Sequence, residues 1–209
     1  MSPARPPAAS GHVRIIGGQW RGTRLPVVDA QGLRPSADRV RETLFNWLQP
    51  VLPGARVLDL FAGSGALGLE ALSRGAREAL LVERDPALAE SLRATVERLK
   101  AGDQAHVVRA DALTLLRTPL HGRFEVAFVD PPFDLQLWDA VLAALLPWMA
   151  DDAWLYVEAP AAGCAVPTAD WQLHREGHTR QVHYALFRRR AGAAATLAAD
   201  STADGAATE

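Results

Sequence analysis

A carboxylate, two prolines and an aromatic ring stand in succession at Asp130-Pro131-Pro132-Phe133, directly after the apolar run Phe124–Val129. The run reads as a buried strand. The prolines lack an N–H and fix φ, so the strand must stop abruptly and hold its shape there. Ionised Asp130 offers acceptors only, Phe133 offers a flat apolar face, and the Pro131 carbonyl adds an acceptor with no sheet or helix partner implied. Such a set could grip an amino-bearing planar ring, by hydrogen bonds to the amine and stacking on the ring. It suits equally a strand that ends in a proline turn over a buried Phe. On these residues alone both readings stand.

A second constellation lies about seventy residues upstream. The strand-like Arg56–Leu60 runs into Phe61-Ala-Gly-Ser-Gly-Ala-Leu-Gly68, in which Gly63, Gly65 and Gly68 match G-x-G-x-x-G. A helix is expected after it, and acidic Glu83 ends the next strand, about 20 residues on. That context predicts a nucleotide-like ligand, with Glu83 holding ribose hydroxyls; the alternative is a glycine turn that only packs a helix. Asp59 separates the candidate ligands. A dinucleotide would set its anionic pyrophosphate beside this carboxylate, whereas S-adenosylmethionine brings an ammonium and a sulfonium, which Asp59 favours. Asp111, just past the third strand of this region, is placed to accept from the adenine amino group. It is an equally good helix N-cap, and the two roles are compatible.

Alternating strands and helices must position these residues. Strands are expected at 56–60, 79–83, 106–109, 124–129 and 153–158, and helices at 66–74, 86–100, 112–117 and 137–149. This rhythm means a mostly parallel, doubly wound sheet with helices on both faces. Two later β-like runs, 171–175 and 182–188, have no long helix between them and are expected to pair antiparallel at the sheet edge. Ahead of this domain, 13–16 and 24–28 read as a hairpin closed through Gly17-Gly-Gln-Trp-Arg-Gly22. Ser36 is placed to cap a helix over 37–49, with Val40, Leu44, Trp47 and Leu48 on its apolar face and Arg41 at the flank. The divisions expected are a disordered arm over 1–12, a basic hairpin and helix over 13–49, the main domain over 50–190, and a low-complexity disordered tail over 191–209.

The chain of 209 residues is 49% hydrophobic, enough for one substantial core. Its single cysteine, Cys164, excludes an internal disulfide and suits a reducing compartment. No apolar run has the length of a membrane span, and residues 1–12 lack the apolar centre of a signal peptide, so a cytoplasmic protein is expected. Net charge is -2 but unevenly spread. Residues 1–45 carry seven arginines against Asp29, Asp38 and Glu42, a balance of +4, so the remainder carries -6. This asymmetry fits a basic surface for a phosphate backbone, or a solvated arginine-rich face. Arg14, Arg21, Arg24, Arg34, Arg39 and Arg41 are the candidate RNA contacts. Trp20 among them suits either a stacked base or ordinary packing on the core.

Taken together and in order, 14–22, 33–48, 59–74 and 128–133 resemble the bacterial 16S rRNA guanine-N2 methyltransferases that act on guanine 966 of the small subunit. The resemblance covers about residues 13–190. The glycine turn and the proline motif occur in many methyltransferases; the basic N-terminal block preceding them is the specific part. The resemblance implies a Rossmann-like class I methyltransferase with a seven-stranded sheet, S-adenosylmethionine as donor, and 16S rRNA or the small subunit as partner. It carries cofactor contacts onto Asp59, Phe61, Gly63, Gly65, Glu83 and Asp111, and the target-base motif onto Asp130, Pro131, Pro132 and Phe133. One departure is Thr95, where the family's helix carries an asparagine. A monomer with no metal is expected.

Three rivals share some of these features. An N6-adenine methyltransferase acting on DNA or RNA uses the same proline-motif logic, but a DNA enzyme of that kind usually has a large recognition domain. A cytosine-C5 enzyme needs a nucleophilic cysteine, and Cys164 lacks the context. A non-catalytic rRNA-binding assembly factor would have no need of both motifs intact. His174, His178 and His183 lack accompanying cysteines and read as surface or core histidines rather than metal ligands.

Overall fold

Strand β3 (Arg56–Asp59) lies inside the main sheet, with both its faces covered. The structure, a computed structural model, describes residues 9–28, 38–161 and 169–190. Around β3 the sheet runs in the order β5 (Ala105–Arg109), β4 (Glu78–Glu83), β3, β6 (Phe124–Val129), β7 (Met149–Pro160), β9 (Val182–Arg189) and β8 (Trp171–His178). The first five are parallel, and β9 pairs antiparallel with both β7 and β8. This is the mostly parallel, seven-stranded sheet with an antiparallel edge that the alternating pattern predicts. The strands β4 and β6 are almost continuously apolar because helices cover both faces, which leaves no solvated side to alternate toward.

From β3 the chain steps outward through β4 and β5, then returns to lay β6 on the other side of β3. The strand order reverses at that point and leaves a crevice over the carboxyl ends of β3 and β6. One face of the sheet is covered by α1 (Asp38–Leu48), α2 (Gly68–Ser73) and α3 (Pro86–Arg98), the other by α4 (Ala112–Leu116) and α5 (Trp138–Leu145).

The N-terminal extension is part of the first of these layers. Its two strands, β1 (Ala9–Arg14) and β2 (Arg24–Val28), form a separate antiparallel sheet. Leu44, Phe45 and Leu48 of α1 are fully buried, each contributing on the order of 1.5–3 kcal/mol. Phe45 meets Phe128 of β6 edge to face, ring centroids 6.0 Å apart. Trp20 packs on this same core.

Several boundaries differ from those expected, each for a visible reason. Strand β1 starts at Ala9, inside the arm expected to be disordered, and stops at Arg14, because the Ile16 amide turns away to donate to Glu70 Oε2 at 2.7 Å. Helix α5 ends at Leu145 and a short 3₁₀ turn, Leu146–Trp148, replaces its last residues, since Pro147 has no N–H to donate to the helical ladder. Strand β7 consequently begins at Met149, four residues early, and β8 runs on to His178. Helix α2 begins at Gly68 rather than at residue 66. Ser36, Arg34, Cys164 and the terminal tail lie outside the described residues. Among the described residues no helix is long and apolar enough to cross a membrane.

Candidate active site: a cleft over the ends of β3 and β6

Asp59 is the last residue of β3, 2% exposed, and its Oδ2 accepts the Gly68 amide at 3.0 Å. Burial pushes its pKa up to about 7, against the opposing pull of the Gly68 and Phe61 amides and with help from the charge of Glu83. A buried acid in that state is stabilised as the anion by any cation brought beside it. The chain then turns over the strand end, with Gly63 at φ 51° and Gly65 at φ 79°. The Gly63 amide donates to Glu83 Oε2 at 2.9 Å, and Glu83 Oε1 accepts the Asp85 amide at 2.8 Å. Glu83 thus braces the turn from the end of β4, and Asp85 in its turn caps α3 through the Ala87 and Leu88 amides.

The glycines have different tasks. Gly63 lines the cleft. Gly65 does not: a Cβ there would stand 2.6 Å from Leu92 Cδ1 and 2.8 Å from Leu69 Cδ1, so the residue lets α2 and α3 pack closely. Gly65, expected to contact the cofactor, has this packing role in the structure. Gly68 is similar, since a Cβ would lie 2.1 Å from Leu81 Cδ2 on the sheet. Asp111 is the N-cap of α4, its Oδ1 accepting the Thr114 amide at 2.9 Å, and it also borders the cleft. Thr95 is buried in α3, and its hydroxyl donates to the Ser91 carbonyl at 3.0 Å.

On the far side of the same cleft, β6 delivers Asp130, Pro131, Pro132 and Phe133. The half-buried Phe133 opens a short 3₁₀ turn and packs tilted against Trp138, centroids 5.9 Å apart. Trp138 Nε1 donates to the Glu158 carbonyl at 2.8 Å, so the turn, α5 and the end of β7 brace one another. The cleft has a volume of about 700 Å³, within the range of small-molecule sites. Asp59, Phe61, Gly63, Glu83 and Asp111 therefore share one continuous space with the proline motif.

Sequence reasoning missed three contributions to this wall. Val27 and Val40 come from the N-terminal extension, Thr179, Gln181 and Val182 from the β8–β9 turn, and Glu158 from the end of β7. Only Glu158 had a local signal, as an acidic residue ending a parallel strand, where α/β sheets place ligands.

The basic block divides. Arg14, Arg21, Arg24 and Arg39 are exposed. Arg41 is not: it is 0% exposed, donates to Asp38 Oδ1 at 2.6 Å and to the Arg14 carbonyl at 2.9 Å, and lies 3.9 Å from Glu70 Oε2. Its expected contact with RNA is corrected, because the guanidinium is enclosed between α1, β1 and α2. The histidines are also accounted for in part: His183 pairs with Glu176 at 2.9 Å, and His174 packs edge-on against Trp154.

A seven-stranded sheet with this strand order, a glycine turn after β3 and a carboxylate ending β4 define the Rossmann-like class I methyltransferase fold. The chain belongs to the family described as conserved hypothetical protein 95, whose model matches residues 13–188. It is 50% identical over 190 residues to "Ribosomal RNA small subunit methyltransferase D" of Escherichia coli (strain K12), covering 88% of this chain and 93% of that one. A Haemophilus influenzae protein of the same name is 41% identical over 192 residues, covering 90% and 100%. Among solved structures, an Escherichia coli chain described as a methyltransferase superposes with a TM-score of 0.79 at 49% identity, over 87% of this chain and 99% of that one. A tRNA m1G37 methyltransferase from M. jannaschii, at 13% identity and a TM-score of 0.61 over 81% and 55% of the two chains, shares the fold alone.

Proposed function

We propose that this chain transfers a methyl group from S-adenosylmethionine to the exocyclic N2 of guanine 966 in 16S rRNA, on the small ribosomal subunit or an assembly intermediate. The coarser part, methylation of small-subunit rRNA, is supported by family membership and by relatives that carry that name over nearly their whole length. The observation that carries the reading is the single cleft, which holds the anionic glycine-turn side and the Asp130–Phe133 side in one space.

The residues of the first side fit the donor. Asp59, Glu83, Asp85 and Asp111 line it with Arg84 as the one cation among the described lining residues, a set that welcomes a cationic ligand and repels a pyrophosphate. The raised pKa of Asp59 marks a charge that burial disfavours and a ligand ammonium would restore. Glu83 uses one lone pair of each oxygen on backbone amides and keeps capacity for ribose hydroxyls. Asp111 borders the place for the adenine amine. When bound, the donor supplies an electrophilic methyl group on sulfur.

The rest belongs to the protein. Phe133 offers its face to a guanine splayed from an RNA loop. Asp130 and the Pro131 carbonyl accept the two N2 protons and so turn the nitrogen lone pair toward the donor methyl. Most of the rate gain comes from that positioning. Asp130 is also placed to accept the proton that leaves N2 after transfer. The exposed Arg14, Arg21, Arg24 and Arg39 hold the rRNA backbone.

Mass mapping of methylated nucleotides in small-subunit RNA, with and without the gene, tests the assignment. N2-methylguanine at position 966 should disappear on deletion and return on complementation. Loss of a different nucleotide, or of none, would refute it.

A further inference from the structure

Sequence reasoning gives the base-binding side of the cleft one carboxylate, Asp130. The fold supplies a second. Strands β6 and β7 are parallel with Val129 opposite Val157, so Asp130, the residue after β6, follows on beside Glu158 near the end of β7, and both line the cleft. Beneath them the preceding in-register pair, Phe128 and Tyr156, packs edge to face with centroids 6.2 Å apart. Tyr156 is fully buried and its hydroxyl donates to Glu158 Oε2 at 2.8 Å. Burial and the nearby charges of Glu158 and Asp130 push the Tyr156 pKa up, so it stays a donor. Glu158 is itself 5% exposed, its backbone is held by Trp138, and it lines the same cleft as Phe133. Its side chain is thus held in place by a rigid neighbour at the end of a rigid strand.

Such a carboxylate sees a particular edge of a base stacked on Phe133. Guanine presents two adjacent donors on its Watson–Crick edge, N2–H and N1–H. Adenine presents an amine beside a bare acceptor at N1. We infer that Glu158 is the residue that distinguishes guanine from adenine, by accepting the guanine N1–H while Asp130 and the Pro131 carbonyl hold the N2 amine. The inference rests on the guanine-N2 reading above. A carboxylate accepts at about four lone-pair sites, so the Tyr156 hydrogen bond and a base N–H are compatible. With adenine the same carboxylate would face the N1 lone pair, a repulsion that rejects the wrong base.

The test uses small-subunit particles carrying either guanosine or 2-aminopurine at the target position. 2-Aminopurine keeps the reacting N2 amine and replaces the N1–H with an acceptor. Wild-type enzyme should methylate the guanosine particle faster by about 100-fold or more in single-turnover rate, as expected of a site built around a substrate N–H. Glu158→Gln, whose amide can accept from guanine N1–H or donate to the 2-aminopurine N1, should lower that ratio at least about tenfold. Donor binding should change little. A merely structural Glu158 would slow both substrates equally and leave the ratio where it was, which overturns the inference. A wild-type ratio near one overturns it without any variant. Should Glu158→Gln fail to fold, Glu158→Asp, which retracts the charge by one methylene, carries the same readout. Absence of N2-methylguanine from the wild-type reaction on the guanosine particle refutes the parent reading instead, and that arm is scored first.

Discussion

Glu70, in the helix that follows the glycine turn, accepts the Ile16 amide at 2.7 Å across 54 residues of chain. It also accepts the Gly17 amide at 2.8 Å and pairs with Arg74 at 2.7 Å, while the buried Arg41 stands 3.9 Å away. One fully buried carboxylate therefore anchors the N-terminal hairpin to the helix that follows the glycine turn. Removing it strands two amides and leaves the 0% exposed Arg41 with Asp38 as its remaining counter-charge. Glu70→Ala is expected to cost about 3–5 kcal/mol, read as a lowered urea midpoint. Rescue by Glu70→Gln should be partial, since the amide keeps an acceptor and loses the charge opposite Arg41.

Asp59 predicts a pH dependence. Its folded-state pKa is raised to about 7 from an ordinary carboxylate value, chiefly by burial. Between those two values the folded state binds more protons than the unfolded one, so stability falls as pH rises through that window. The ligand-free protein should lose a few kcal/mol of unfolding free energy between roughly pH 4 and pH 7 from this group alone. Asp59→Asn, which retains an acceptor for the Gly68 amide, should flatten that part of the profile. Donor binding should run the other way and strengthen from pH 6 to pH 8 as the carboxylate ionises. Calorimetric titration across that range measures it, and a flat affinity would contradict the role given to Asp59.

At the proline-motif end of the cleft, Asp130→Ala should abolish methyl transfer with donor affinity within a few-fold of wild type. Phe133→Ala should instead weaken the RNA complex by about 1–3 kcal/mol, the typical worth of one stacked base, while Phe133→Trp retains it. Single-turnover kinetics separate the two: the first loss falls on the chemical step, the second on the concentration of RNA needed to saturate.

The arginines should sort by exposure. Replacing Arg14, Arg21, Arg24 or Arg39 with Ala should reduce the slope of log K against log salt for rRNA binding by about one each, wherever the side chain meets a phosphate. Arg41→Ala should leave that slope unchanged and lower thermal stability, because its partners are Asp38, Glu70 and the Arg14 carbonyl.

The sequence by itself determined the features that depend on neighbouring residues. The tight turn at Gly63, the abrupt stop at Pro131 and Pro132, and the apolar strands β4 and β6 each follow from local sterics or from covered faces. The two ends of the cleft were legible for that reason. Tertiary structure decided what depends on registers and distances between remote segments. Pairing of β6 with β7 sets Glu158 beside Asp130, and no spacing along the chain announces it. Docking of α1 encloses Arg41, although its position at the flank of an apolar stripe was as compatible with solvent. Close packing of α2 and α3 makes Gly65 a steric requirement. Charge and glycine are cheap to recognise in a sequence, but whether a guanidinium meets water or a carboxylate is a matter of which surfaces the core brings together.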